Sequence, residues 1–301
     1  MKKNILVVTG GAGFVGSNLI EALLKETTKK IISIDNYSSG FIKNHIKNSR
    51  IKYIKGNTKD INILLKKFKL RIDSIFHFGE FSRIYQSFEK FSDCFKSNSI
   101  GTNEVFKFCL DNKIKLIYSA TSAALGNKGT DKNLSPYAFT KSKNLELLEN
   151  LKKWFKFKYE VIFFYNVYGP KQIKKGNMAT VIGIFEDHYI NKKPLPVVKP
   201  GNQTRRFTHI NDTIKICIKA WKLNKCRFYS ISSKKSYSIK EVAYLFKTKI
   251  NYLPPRKGER YASALTSMSL SNKVHKNFGK LTLVEYIERF INKAKLKIKK
   301  N

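Results

Sequence analysis

Three glycines, Gly10, Gly13 and Gly16, constrain this chain more than any other feature. They are spaced G-x-x-G-x-x-G in TGGAGFVG, directly behind the β-branched run NILVVTG (4–10). They also head FVGSNLIEALLKE (14–26), which has helical periodicity. In that strand–turn–helix setting, glycines let the backbone turn tightly and approach a pyrophosphate. Its charge then meets the free N–H groups of a helix N-terminus. The second mark of a dinucleotide site is an acidic residue about 20 positions further on. Asp35 meets it, at the end of KIISID (30–35). A carboxylate there can accept both ribose hydroxyls and repels a 2′-phosphate, which favours NAD over NADP. The alternative for Asp35 is a plain turn role at the head of DNYSSG.

The rest of the N-terminal half repeats the alternation. IKYIKG (51–56), SIFHFG (74–79), IKLIYSA (114–120) and YEVIFFYN (159–166) read as short buried strands. DINILLKKFK (60–69) and the long stretches 87–112 and 137–156 read as helices. The pattern predicts an α/β fold, a Rossmann-like doubly wound parallel sheet with a smaller C-terminal α/β lobe. After VYGP (167–170) the rhythm changes, and KKPLPVVKPGNQT (192–204) reads as a connecting loop with an edge hairpin. The expected division is an NAD-binding domain over 1–170, completed by part of 207–231, with 171–206 and 232–301 forming the substrate lobe. LTLVEYIERFINKAKLKIKK (281–300) is amphipathic with a basic tail. It reads as a packed terminal helix, with a membrane-surface helix as the alternative.

Charge bears on the choice of partner. The chain carries 59 Lys and Arg against 21 Asp and Glu, a formal net charge of +38. Such a balance raises nucleic acid as a partner. The lysines, however, are spread along the whole chain, so the excess reads as compositional and no specific nucleic acid is expected. A positive field would still attract phosphorylated metabolites. Cys94, Cys109, Cys217 and Cys226 show neither CxxC nor metal-ligand spacing with the five histidines. They read as reduced core residues of a cytoplasmic protein without a metal. The opening MKKNILVVTGGAGFVG imitates a signal peptide but reads as a first strand. No apolar run approaches the ~20 residues of a membrane span.

SPYAFTKSK (135–143) sets Tyr137 and Lys141 four apart, on one helix face behind a proline. Taken alone, the pair is either a solvated surface pair or an acid–base dyad. With TGGAGFVG, DNYSSG, SPYAFTK and NVYGP all in order, the chain resembles the extended short-chain dehydrogenase/reductase family. Within it, the match is to the nucleotide-sugar epimerase/dehydratase branch. QTRRFTHIND (203–212) and PPRKGE (254–259) resemble that branch's substrate-lobe motifs.

The resemblance implies a seven-stranded Rossmann sheet, an NAD cofactor and a lobe that clamps a nucleoside-diphosphate sugar, UDP-linked by preference. It also implies a homodimer paired through the helices of 87–112 and 137–156. It makes Tyr137 the acid/base, Lys141 its partner and Thr121 the hydroxyl that bonds the reacting oxygen. Around the cofactor it places Gly10, Gly13, Phe14, Val15, Gly16, Asp35, Asn36, Asn57, Phe78, Gly79 and Asn98, with Tyr137 and Lys141. Around the sugar nucleotide it places Thr121, Asn166, Asn177, Met178, Arg205, Arg256, Glu259 and Ser263. The small side chain of Ser263 would leave room for an N-acetyl group. HFGEFSR (77–83) departs from the branch's His-x-Ala-Ala, so Glu80 is a candidate substrate contact. An ion pair between Glu80 and Arg83 is the alternative.

The chemistry asks for these types. A free tyrosine has a pKa near 10 and is a poor base at neutral pH. An ammonium one turn away, with a positive nicotinamide, favours the phenolate. Dehydratases of the branch carry an Asp-Glu pair after the catalytic threonine, and decarboxylating members a glutamate. Here Ser122 and Ala123 follow Thr121. The expectation is therefore 4-epimerisation of a UDP-hexose or UDP-N-acetylhexosamine through a 4-keto sugar. A 4-ketoreductase, or an epimerase of a uronate or a GDP-sugar, is the alternative within the branch. A non-catalytic NAD-binding or basic nucleic-acid-binding protein is the alternative outside it.

Overall fold

The structure, a computed structural model, describes residues 3–125, 133–225, 227–255 and 274–298. Six short strands follow one another through the N-terminal half: β1 (Ile5–Thr9), β2 (Lys30–Asp35), β3 (Ile51–Lys55), β4 (Ile72–His77), β5 (Lys115–Thr121) and β6 (Tyr159–Phe164). Beyond them come β7 (Val167–Tyr168), β8 (Leu195–Val198), β9 (Thr204–Arg206) and β10 (Thr208–His209). The remainder are β11 (Phe228–Ser232), β12 (Ser236–Ser238), β13 (Ile250–Leu253) and β14 (Val274–Phe278). The main sheet has the order β14-β11-β6-β5-β4-β1-β2-β3, with every pairing parallel. Every residue of β1 is buried, as its unbroken apolar run requires between β2 and β4 with both faces covered.

This sheet has eight strands where the resemblance implies seven. The eighth, β14, lies in the span expected for the lobe but pairs with β11. The proline-rich stretch also differs from expectation. In place of a hairpin, β8 pairs with the distant β13 and β9 with β12. Leu195 and Val197 are fully buried in the second core, so β8 is held by packing that a local hairpin could not supply.

The helices are α1 (Phe14–Glu26), α2 (Ile61–Leu65), α3 (Gln86–Glu89), α4 (Phe91–Phe95), α5 (Thr102–Asp111), α6 (Pro136–Phe155), α7 (Val181–Ile190), α8 (Ile210–Leu223), α9 (Ile239–Leu245) and α10 (Leu283–Ile298). Leu19, Ile20 and Leu23 of α1 join Ile210, Ile214 and Cys217 of α8 in the core on one sheet face. Val105 and Phe108 of α5 join Leu148 and Leu151 of α6 on the other. A separate core gathers Ile182 and Phe185 of α7, Val242 of α9 and Leu283, Ile287 and Ile291 of α10. The apolar stripe of α10 is thus already packed, which is the terminal-helix reading. No helix of the described residues is long and apolar enough to cross a membrane.

The stretch 87–112 is not one helix. Lys90, at φ −108° and ψ 48°, separates α3 from α4. Residues Lys96–Gly101 then form a π-helical stretch before α5 begins. That wider turn brings Asn98, fully buried, against Phe81 beyond β4 and Thr140 of α6. The strand order reverses direction between β1 and β4, and the crevice beyond their carboxyl ends is where such sheets bind ligands.

Candidate active site

The glycine turn is built by contact. Gly10 has φ +70°, and a Cβ on Gly16 would stand 2.1 Å from the Gly10 carbonyl oxygen. Only glycine lets helix α1 begin that close to the turn. The first intrahelical bond runs from Ser17 N–H to the Gly13 carbonyl, 3.1 Å. The amides of Phe14, Val15 and Gly16 therefore lie ahead of the helix's own acceptors, and this cradle fits a pyrophosphate. Asp35 anchors the turn from β2: its carboxylate accepts the Ala12 amide at 2.9 Å and the Tyr37 amide at 2.8 Å. Burial raises its pKa, against the pull of those backbone bonds. Beside it, the Asn36 amide donates to the Asn57 side-chain oxygen, 2.9 Å, at the ends of β2 and β3. Gly79 lies against Gly10, and the amides of Phe78 and Gly79 donate to the Thr9 hydroxyl at 3.1 and 3.0 Å.

Tyr137 and Lys141 sit on the inward face of α6. Ser135 caps this helix, accepting the Ala138 amide at 3.1 Å, and Pro136 opens the first turn. The buried positions Tyr137, Lys141, Asn144, Leu148 and Leu151 recur three and four apart, so the helix turns one stripe to the sheet. Thr121, at the end of β5, hydrogen-bonds the Tyr137 phenol, and that bond pulls the phenol's pKa down. Burial acts more strongly, and the value is pushed up to about 12.

From sequence, Lys141 is the cation that favours the phenolate. In the structure that ammonium also has partners of its own. Its ammonium donates to a carboxylate oxygen of Glu80 and, at 2.5 Å, to the Ser119 carbonyl, and it lies 4.6 Å from the centre of the Tyr118 ring. The second Glu80 oxygen accepts from the Thr102 hydroxyl at 2.9 Å and the Tyr118 hydroxyl at 3.0 Å. Side-chain exposure is 4% for Lys141 and 2% for Glu80, so this is an interior ion pair. Glu80 as a substrate contact, and as the partner of Arg83, are both corrected. Its side chain points into the protein because the ammonium and two hydroxyls there can satisfy a buried carboxylate.

His77 continues the network toward the cofactor turn. Its Nδ1 lies 2.7 Å from the Thr9 hydroxyl, and its Nε2 lies 3.0 Å from that of Thr102. Because Thr9 already accepts two backbone amides, its proton goes to Nδ1. Nε2 then donates to Thr102, which donates to Glu80. Burial pushes the pKa of His77 down to about 4, which leaves the imidazole neutral. One chain of hydrogen bonds thus runs from Thr9, beneath the glycine turn, to Lys141.

The side-chain hydrogen bonds of Asn98 run to the protein itself. Its oxygen accepts the Phe81 amide at 2.7 Å, and its nitrogen donates to the Phe81 carbonyl at 3.0 Å and the Thr140 hydroxyl at 3.3 Å. The side chain pins the segment after β4 against α6. That segment wraps Tyr137: Phe81 and Ile84 pack on its cluster, and its backbone amide donates to the Ser87 hydroxyl at 3.3 Å. Arg83 projects from the same segment, donates to the Met178 carbonyl and to Ser82, and acts electrostatically on Tyr137. Its Nε is buried without a hydrogen-bond partner.

The lobe residues are more dispersed. Asn177 is exposed in a turn beside Met178, whose carbonyl takes the Arg83 bond. Asn166, exposed and at φ +35°, donates to the Arg206 carbonyl at 3.0 Å. Arg205 lies on β9 opposite Tyr237, with its guanidinium donating to the Thr204 carbonyl at 2.8 Å. Arg256, Glu259 and Ser263 lie outside the described residues. Sequence reasoning missed Thr9, Thr102, Tyr118 and Asn144; Thr9 and Tyr118 stand as polar groups in apolar runs, and Thr102 and Asn144 carry no such signal.

A family model described as the NAD dependent epimerase/dehydratase family matches residues 6–232. An ADP-L-glycero-D-manno-heptose-6-epimerase from Brachyspira hyodysenteriae is 30% identical, over 70% of each chain. Among solved structures, the UDP-glucose 4-epimerase of Thermotoga maritima with UDP-glucose superposes with a TM-score of 0.83 at 22% identity, covering 98% of this chain and 99% of that one. The UDP-N-acetylglucosamine 4-epimerase of Methanobrevibacter ruminantium, in complex with UDP-N-acetylmuramic acid, superposes with a TM-score of 0.79 at 24% identity, covering all of both chains. The relatives share one architecture across different sugars. With its glycine cradle, parallel sheet and Thr–Tyr pair, this chain is a member of the NAD dependent epimerase/dehydratase family, an extended short-chain dehydrogenase/reductase enzyme of the nucleotide-sugar epimerase type.

Proposed function

We propose that the enzyme inverts C4 of a UDP-hexose or UDP-N-acetylhexosamine by way of a 4-keto sugar. The observation that carries this reading is the hydrogen-bonded pair Thr121–Tyr137 with no carboxylate among the described residues free to act beside it. Ser122 and Ala123 follow the threonine, and the nearby carboxylate, Glu80, is consumed by Lys141. Such a set can move one proton on and off an oxygen, but it lacks the further acid and base that elimination of water requires. Tyr137 takes the proton of the 4-hydroxyl and later returns it, while Thr121 holds that oxygen in place. Bound NAD supplies the hydride acceptor and donor at C4. The amides of Phe14, Val15 and Gly16 would hold its pyrophosphate, and Asp35 would accept from its ribose hydroxyls.

Asn177, Met178 and the lobe arginine Arg205 are read as sugar-nucleotide contacts, with Arg256, Glu259 and Ser263 as the expected remainder. The enzyme works as a homodimer in the cytoplasm. Phe91, Ile100, Phe139 and Trp154 leave an apolar stripe on the α4–α6 face, each at least 36% exposed. Cys94, Cys109 and Cys217 are buried free thiols, in keeping with a reducing compartment. The test is a panel of nucleotide sugars incubated with protein loaded with NAD and no added NAD(P)H, followed by NMR of the sugar ring. Appearance of the C4 epimer supports the reading. Unchanged sugars across UDP-hexoses and their N-acetyl forms, or turnover only with added NAD(P)H, defeats it.

A further inference from the structure

The catalytic phenol of this chain does not have its lysine to itself. The charged side chains among the described residues around Tyr137 are the ion pair of Glu80 with Lys141 and the guanidinium of Arg83. Cys94 and Tyr118 keep their protons because burial raises both, and His77 stays neutral because burial lowers it. Glu80 and Lys141 are in direct contact, so from a distance they act as a neutral pair. Arg83 is the remaining cation, on the segment that packs against Tyr137 and bonded to the carbonyl of Met178.

We infer that Glu80 is a positioning residue that fixes the Lys141 ammonium and offsets its charge at the catalytic tyrosine, with Arg83, on the segment packed against that tyrosine, as a second cation. The inference rests on the reading of Tyr137 as the proton carrier. Four observations carry it. Glu80 accepts bonds on both oxygens, from Lys141 on one and from Thr102 and Tyr118 on the other. The carboxylate is set from behind by the His77–Thr102 chain, so it cannot rotate without breaking that relay. Lys141 has a second acceptor in the Ser119 carbonyl, which pulls its ammonium toward β5. Finally, the signs agree: the Glu80 charge raises the Tyr137 phenol and the Arg83 charge lowers it.

The experiment is an ultraviolet difference titration of Tyr137, each protein being read against its own Y137F counterpart, with and without NAD. E80Q keeps the shape of the acid and removes its charge. It is expected to move the Tyr137 titration down by about one pH unit, the size of a nearby charge in a protein interior. R83Q is expected to move it up by a similar amount. The limb of kcat that rises with pH as the base loses its proton should follow both shifts, whereas a purely structural role would lower kcat without moving the limb. No shift, or an upward shift, in E80Q overturns the inference. Should E80Q fail to fold, R83Q decides: an unmoved or lowered titration overturns it as well. Because the titration needs no sugar, it stands whether or not any UDP-sugar is turned over.

Discussion

A phenol near pKa 12 holds its proton at neutral pH, so in the proposed reaction Tyr137 must be helped by charges around it. Replacing Tyr137 with phenylalanine should cut turnover by about a thousandfold, and Thr121→Ala by about a hundredfold, within the range of general acid–base losses. NAD affinity measured by fluorescence titration should stay within threefold in T121A; a larger loss would show that Thr121 serves the cofactor. His77 gives a second prediction, with a definite sign. Its pKa is near 6.5 unfolded and about 4 folded, so the unfolded chain binds the extra proton between those values. Its contribution to stability is therefore complete above about pH 6.5 and declines as pH falls toward 4. Melting curves at pH 7 and pH 5 should show a larger drop for the wild type than for H77Q; equal drops would contradict a buried neutral imidazole.

At the scale of elements, the glycine turn and the start of α6 do the positioning. G16A would place a Cβ 2.1 Å from the Gly10 carbonyl oxygen. The cost should be about 1–3 kcal/mol by overpacking, with NAD binding weakened about tenfold, as read by denaturant titration and cofactor binding. A fully stable variant with unchanged NAD affinity would contradict the close approach. Ser135→Ala removes the cap of α6 and should cost about 1 kcal/mol. These two elements were legible in the sequence because local rules produce them: a spaced glycine set after a strand, and a capped helix opened by proline. The break at Lys90, the π-helical stretch and the distant pairing of β8 with β13 were not legible, because tertiary packing decides them. The same holds for Glu80. Its spacing from Lys141 is 61 residues, and only the sheet brings the end of β4 beside α6.

At the scale of the molecule, the eight-stranded parallel sheet places Thr9, His77 and Thr121 at the ends of three adjacent strands. The glycine turn and the Thr121–Tyr137 pair are thereby on one edge. The reading of a homodimer predicts that Phe91→Glu, in the exposed stripe where the Phe91 and Phe95 rings lie 4.5 Å apart, yields a monomer by light scattering. A dimer that survives this change would place the interface elsewhere. The net charge of +38 belongs to this scale too, as a field over the whole surface. The central claim is that hydride leaves and returns to one carbon while Tyr137 carries the proton. It is tested most directly by following a UDP-hexose deuterated at C4 through the reaction by NMR. The account predicts that both C4 epimers retain the deuterium at that carbon and that the Y137F protein forms no epimer. Deuterium washed out into water, or epimer formed by Y137F, would contradict it.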